Sequence, residues 1–333
     1  MKISEIGEQA LIKEIAALVA STADRDGVGI GDDAALARFA DGAYVATSKD
    51  MLVEGVHFLL PGITAQDLGF KALAANLSDL AAMGARPRHA FVALALPAGT
   101  ECEFVLDFFR GMMQLAEKYG IAVSGGDLVA SPGPLAVSVT VQGEVRREQA
   151  LLRRGARPGE LICTTGSLGA SAAGLTLLLQ DMPCDDKVRA AALKAHFRPE
   201  PRVREGIWLA KSGAVTAAMD ISDGLLKDIR EIMEVNGCGA LFYEEKIPVD
   251  PVARAVAAAA GRLPLDFALH GGEDYELLFT VPENAFEGLS GAYLAHFGRP
   301  LYALGRLTEE MRLQMVTKDG KWEELEFAGY RHF

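Results

Sequence analysis

Six short segments of this chain place acidic residues at the end of an apolar run or inside a glycine turn. They are GDDAA (Asp32, Asp33), SKDMLVEGVHF (Asp50), NLSDLAAMGA (Asp79), SGGDL (Asp127), AMDISDGL (Asp220, Asp223) and HGGEDYELLFT (Glu273, Asp274). Glycine before an acid lets the backbone turn tightly and lets another group come close to the carboxylate. Aspartate and glycine are also ordinary turn residues, so any one segment alone has a plain reading. Repeated against apolar elements, the pattern predicts acids held by the scaffold and gathered in space. Gathered carboxylates repel and must meet cations or share protons. Oxygen donors without accompanying His or Cys pairs point to Mg²⁺ or Mn²⁺ and away from zinc. Magnesium held by a few aspartates is commonly completed by substrate phosphates, which points to a nucleotide.

Length and composition set the frame for such a site. At 333 residues the chain fits two domains. Half of it is apolar and 23% is charged, which excludes a disordered or fibrous chain. Its longest apolar stretches, such as 89–98, fall well short of the roughly 20 residues of a membrane span. Glu5 and Glu8 stand where a secretory leader would carry basic residues, so a cytoplasmic protein is expected. The four cysteines form no CxxC pair and read as idle thiols in a reducing compartment. A net charge of −12 argues against sequence-independent binding to nucleic acid.

Periodicity predicts an opening helix over 3–20, a glycine turn over 27–35 and a strand over 44–48. Next come a helix over 64–85, a strand over 91–96, a helix over 104–119, a strand over 121–124 ending in Gly125-Gly126-Asp127, and a strand over 135–145. Arg153 to Glu160, rich in arginine, glycine and proline, is a break. The expected boundary lies just before it, giving domains 1–148 and 149–333. The second half restarts with a strand over 161–165 and a helix over 171–179, then a strand over 215–219 and an alanine-rich helix over 253–260. Mixed strands and helices predict an α/β or α+β architecture, with mixed sheets flanked by helices.

How such a chain would hold phosphates is less direct. It has no GxxxxGK[ST] loop and no protein-kinase signature set. The loop from Thr165 to Gly174 could wrap an anion with backbone N–H groups at a helix start, or its glycines could merely let strand and helix pass closely. Arg153 and Arg154 could meet phosphate oxygens or could be solvated boundary residues. His57 taken alone reads as a structural histidine.

Taken together and in order, GIGDDAA, SKDMLVEGVHF, KALAANLSDLAAMGA, SGGDL, LRRGARPGE, TTGSLGASAAGL, MDISDGL, GGEDYELLFT and the closing GYRHF resemble the thiamine-monophosphate kinase family. That family belongs with aminoimidazole ribonucleotide synthetase-like enzymes. The resemblance implies a two-domain architecture of that type and the reaction ATP + thiamine phosphate → ADP + thiamine diphosphate. It implies several Mg²⁺ ions and a homodimer built through the N-terminal domain. Asp33, Ser48, Lys49 through its carbonyl, Asp50, Asp79, Asp127, Asp220 and Asp223 would be metal ligands. Gly126, Asp127, Arg153 and Ser222 would contact ATP; His57, Glu273 and Phe327 would contact thiamine phosphate. Asp50, Asp127 and Arg153 would carry the catalytic step. Lys49 departs from the threonine of many relatives, and Phe327 stands where tryptophan is frequent.

The residues suit that chemistry. The acceptor phosphate has a second pKa of about 6 and is largely ionised at neutral pH, so no general base is needed. The obstacle is repulsion among phosphates and carboxylates, which divalent ions would relieve. Two alternatives stand beside this reading: another ATP-dependent enzyme of the superfamily, and a nucleotide-binding regulator without turnover.

Overall fold

The computed structural model describes residues 13, 28, 31–38, 42–180, 182–326 and 329. The first half builds a five-stranded sheet in the order β1-β2-β5-β3-β4. Its strands are β1 (Ala35–Arg38), β2 (Ala43–Val53), β3 (Arg86–Pro97), β4 (Ala122–Ser131) and β5 (Ala136–Arg146). All neighbours are antiparallel except β3 and β4. In β5, Val137, Val139, Val141 and Val145 are buried and alternate with more exposed residues, the period of a sheet with one face on a core.

That core is formed with α1 (Ala65–Ala82), which is buried on nearly every side, as its small and apolar residues allow. Thr64 starts α1: its Oγ1 accepts the Asp67 N–H at 3.1 Å, and its hydroxyl donates to Asp67 Oδ2 at 2.7 Å. Helix α2 (Cys102–Tyr119) lies unusually close to α1. A Cβ on Gly69 would sit 1.8 Å from the Phe108 carbonyl oxygen, and one on Gly111 would sit 1.8 Å from that of Gln66.

The second half builds a seven-stranded mixed sheet, β12-β11-β8-β10-β6-β9-β7, in which β8 is Gly239–Tyr243, β10 Tyr302–Thr308, β11 Leu313–Val316 and β12 Trp322–Glu324. Its site-bearing edge contains β6 (Leu161–Thr164), β9 (Leu277–Val281), in which every residue is buried, and β7 (Ala217–Asp220). Around it lie α3 (Ala170–Leu179), α4 (Asp186–Phe197), α5 (Val203–Ser212) and α6 (Leu225–Asn236). The two halves share a core. Leu68, Leu77 and Leu80 of α1 belong to the same apolar cluster as Val203, Leu209, Leu277 and Tyr293. Helix α5 abuts α1 at Gly206, where a Cβ would fall 2.0 Å from the Ala81 carbonyl oxygen.

The structure corrects the expected placement of two acids. Asp50 lies inside β2 and Asp127 inside β4, neither at a strand's end, while Asp79 lies in the last turn of α1, within the helix expected over 64–85. The strand expected to stop at the Gly125-Gly126-Asp127 turn continues to Ser131, because β4 pairs with β3 over its whole length. Glycine is tolerated within that strand for a steric reason: a Cβ on Gly126 would meet the Val92 carbonyl oxygen at 1.7 Å. The expected opening helix over 3–20 lies outside the described residues, apart from Lys13.

Candidate active site

Helix α1 is wedged between the two sheets, and this carries acids from distant segments to one point. Asp33 comes from the turn before β1, Asp79 from the last turns of α1, and Asp220 from the end of β7. One carboxylate oxygen from each lies within 4.8 Å of the others. Ser48, on β2, donates its hydroxyl to Asp79 Oδ2. Ser78 does the same for Asp220 Oδ2 at 2.5 Å.

Burial and mutual repulsion dominate the electrostatics here. Burial pushes the Asp79 carboxyl well above the usual range, and the charges of Asp50, Asp220 and Asp33 add to it. Asp220 is pushed up to about 8 by burial and then by Asp33. Burial and the Asp223 charge raise Asp50 to about 6. Burial and Asp33 raise Asp32 to about 7 despite the opposing pull of Arg153. A buried all-oxygen donor set that cannot hold its full charge fits a hard divalent cation.

The Arg153 guanidinium already grips this cluster. Its Nη2 donates to Asp33 Oδ1 at 2.7 Å and its Nε to Asp33 Oδ2 at 3.3 Å. Its backbone N–H points at both oxygens of Asp32, 3.3 Å from each. Beside the acids opens a cleft of about 820 Å³, with Asp50, His57, Asp79, Asp220, Asp223 and Glu273 on its walls. A second cavity of about 320 Å³ adjoins it around Asp32, Asp33, Ser48, Arg153 and Ser222.

Comparison with known proteins narrows what such a site belongs to. The family models "AIR synthase related protein, N-terminal domain" and "AIR synthase related protein, C-terminal domain" match residues 31–145 and 157–318. Thiamine-monophosphate kinase of Escherichia coli strain K12 is 40% identical over 308 residues, 92% of each chain. The enzyme of that name from Bacillus subtilis strain 168 is 37% identical over 316 residues, covering 92% of this chain and 93% of its own. The chain belongs to the thiamine-monophosphate kinase family. The solved structure "AaThiL complexed with AMPPCP and TMP" superposes with a TM-score of 0.87 at 32% identity, covering 100% of this chain and 99% of that one. The two-domain architecture expected from the sequence is thereby shown.

In this thiamine-monophosphate kinase family member the other expected site residues divide into those gathered at the cleft and those apart from it. The Val53 N–H donates to His57 Nδ1 at 3.0 Å, which leaves the ring proton on Nε2. Lys49 turns its side chain to solvent, where Nζ donates to Thr140 Oγ1 at 3.3 Å. Asp223 is contacted by Lys227 Nζ at 2.5 Å. Its loop is fixed from beneath by buried Asp228, whose Oδ2 accepts the N–H groups of Asp223 at 3.2 Å and Gly224 at 3.0 Å. The Ser222 carbonyl accepts the Glu273 N–H at 2.7 Å, tying two of the acidic segments together.

Gly126 and Asp127 are not gathered with these groups. Both are exposed on edge strand β4, and the Asp127 carboxylate accepts the neighbouring Leu128 N–H at 2.9 Å. Register aligns Asp127 with Ala93, Ser138 and Met51, so three strand spacings, about 14 Å, separate it from β2. Phe327 lies outside the described residues.

The glycine loop after β6 resolves against anion wrapping. Its N–H groups at Gly169 and Ser171 are taken by the chain's own Asp274, at 2.6 Å and 3.2 Å. That carboxylate, rather than a phosphate, caps α3.

Sequence reasoning missed Lys71, His196, Ser78 and Asp228. Lys71 did carry a signal: it is a lone cation in a long apolar and small-residue helix, where a buried charge requires a partner. For His196 and Asp228, nothing in the sequence separated them from solvated helix residues.

Proposed function

We propose that this chain transfers the γ-phosphoryl group of ATP to the phosphate of thiamine monophosphate, giving thiamine diphosphate and ADP. The observation that carries this reading is the meeting of Asp33, Asp79 and Asp220 within 4.8 Å at the head of an 820 Å³ cleft. Relatives named thiamine-monophosphate kinase, and the structure complexed with AMPPCP and TMP, support it.

Asp33, Asp79 and Asp220 hold divalent cations, with Asp50, Asp223, the Ser48 hydroxyl and the Lys49 carbonyl completing the set. Bound Mg²⁺ would offset the charge of the two phosphates and of the carboxylates around them. An oxygen of the acceptor phosphate attacks the γ-phosphorus, the bond to the β–γ bridging oxygen breaks, and ADP leaves with that electron pair. Because the acceptor is already ionised, no side chain removes a proton and none becomes phosphorylated. Arg153 and Ser222 line the smaller cavity and contact the nucleotide. Gly126 and Asp127, expected at the nucleotide, stay outside this set on edge strand β4, about 14 Å from β2. His57, Glu273 and Phe327 receive thiamine phosphate, Glu273 offering a carboxylate to the cationic ring and Phe327 an aromatic face. Residues 1–148 and 149–333 form the two domains. A homodimer through the first is supported by Met51, Phe91, Leu128 and Val129, apolar side chains exposed on β2, β3 and β4.

The test is incubation with ATP, Mg²⁺ and thiamine monophosphate. ADP and thiamine diphosphate are expected in equal amounts, each dependent on both substrates. ADP without thiamine diphosphate would overturn the assignment and favour another ATP-dependent reaction. No turnover at all would favour the regulator. A phosphorylated side chain formed stoichiometrically with ATP alone would overturn direct transfer.

A further inference from the structure

Lys71 is only 1% exposed, in the middle of α1, and is among the largest fully buried side chains. Its Nζ lies 2.8 Å from Glu273 Oε2 and 3.5 Å from His196 Nε2. His196, on α4, is also buried, with Nδ1 3.1 Å from Ser171 Oγ and 3.3 Å from Glu273 Oε2. Two helices, α1 and α4, therefore converge on one carboxylate oxygen of the turn that carries Glu273, and α3 joins them through Ser171 and His196. His196, Ser171 and Glu273 all line the large cleft.

Stability does not account for this cluster. Burying an ammonium group is costly, and replacing a buried ion pair with apolar side chains of similar size is often neutral or stabilising. A methionine or leucine would suit the surroundings of Lys71 in α1. The backbone at Glu273 also deviates from the ordinary: its φ is +63°, a left-handed conformation uncommon for a side-chain-bearing residue. Gly272 before it presses against the Ser222 carbonyl, where a Cβ would fall at 2.6 Å. Backbone and side chain together fix the direction of this carboxylate.

We propose that Lys71 and His196 are positioning residues that act through Glu273, holding one oxygen of its carboxylate so that the other meets the cationic ring of the acceptor. This rests on the acceptor reading given above. The groups facing His196 are Lys71 from α1, Ser171 from α3 and Glu273 from the turn, with the Phe197 ring beside it on its own helix. Burial, and then Lys71, lower its pKa to about 4, with Glu273 opposing. The imidazole is therefore neutral at pH 7. Nε2 faces the ammonium group as an acceptor, and Nδ1–H remains to donate to Glu273 or Ser171. The neutral ring adds no third charge to the Lys71–Glu273 ion pair.

The experiment compares wild type, Lys71→Met, Glu273→Gln and the double variant in steady-state kinetics. Lys71→Met is expected to raise the KM for thiamine phosphate about 10-fold, the worth of one charge-assisted hydrogen bond, with the KM for ATP unchanged. The double variant is expected to be no worse than Glu273→Gln alone. Multiplying effects, or a parallel rise in the KM for ATP, would overturn the proposal. Lys71→Arg, which keeps the donor, is expected to recover most of the loss; no recovery counts against the proposal.

A second readout needs no substrate. In ¹⁵N-histidine NMR, His196 is expected to titrate at higher pH in Lys71→Met than in wild type. An unchanged titration in the folded variant overturns the network. A shifted titration in a protein that fails to phosphorylate thiamine phosphate instead overturns the acceptor assignment and leaves the network standing. If Lys71→Met does not fold, His196→Gln carries the kinetic test, with a selective rise in the KM for thiamine phosphate expected and a uniform loss contradicting the proposal.

Discussion

Replacing Asp220 by asparagine should make the metal-free protein more stable while abolishing its activity. Asp220 is 2% exposed, and its carboxyl is pushed up to about 8 from 3.8 by burial and by Asp33. The native state thus binds a proton that the unfolded chain releases. A raised folded pKa places the full stability below 3.8 and drains it as pH rises through about 8. At 1.36 kcal/mol per pH unit, the loss at pH 7 is at most about 4 kcal/mol. Asparagine removes the titration and keeps an oxygen for the Ser78 hydroxyl, now 2.5 Å from Asp220 Oδ2. It adds an amide that must find an acceptor, at a cost of about 1–3 kcal/mol. A net gain of about 2 kcal/mol remains, or a Tm rise of about 4 °C. Thermal unfolding in EDTA, run from pH 4 to pH 8, checks this. The variant should be about 2 kcal/mol less stable than wild type near pH 4, where only the amide cost acts, and should overtake it as pH rises toward 8. Added Mg²⁺ should stabilise wild type more than the variant, and turnover should fall at least about 100-fold. A variant less stable than wild type at pH 8 in EDTA, or a difference independent of pH, would refute the reasoning.

Other outcomes follow from the same geometry. Gly111→Ala should destabilise by at least about 3 kcal/mol in urea unfolding, since its Cβ would sit 1.8 Å from the Gln66 carbonyl oxygen and no side chain can yield. Asp228→Ala should weaken Mg²⁺ affinity and cost about 1–3 kcal/mol of stability, because the N–H groups of Asp223 and Gly224 lose their acceptor. Mg²⁺ binding at pH 7 should release protons, since the carboxyls of Asp32, Asp50 and Asp220 are raised to about 7, 6 and 8. Affinity should therefore climb with pH up to about 8. Calorimetry in buffers of different ionisation enthalpy measures both.

What the sequence made legible was mostly local. Helical apolar spacing over 64–85 marks α1, the alternating valines mark β5, and the arginine–glycine–proline stretch marks the break between the sheets. The acids stood out because glycines and apolar runs set them off from ordinary surface aspartates. Their partners did not. Ser78 and Lys71 reach the site because α1 is wedged between the sheets, with close backbone contacts at Gly69, Gly111 and Gly206, while His196 and Asp228 arrive on α4 and α6. The glycine loop after β6 left two readings open for a related reason. Its free N–H groups looked suited to phosphate, but Asp274, more than a hundred residues later, folds back onto them. Asp127 misled in the opposite way: its glycine pair reads as a turn, yet pairing with β3 draws it into a strand away from the cluster.

Counting bound divalent ions tests the central claim most directly. Mn²⁺ stands in for Mg²⁺, and the loss of its free EPR signal on titration with protein gives the number held per chain. Wild type should bind at least one ion without nucleotide, and Asp79→Asn should lose that site while remaining folded. Equal stoichiometry and affinity in the two proteins would mean that the carboxylates meeting between the sheets do not hold the metal.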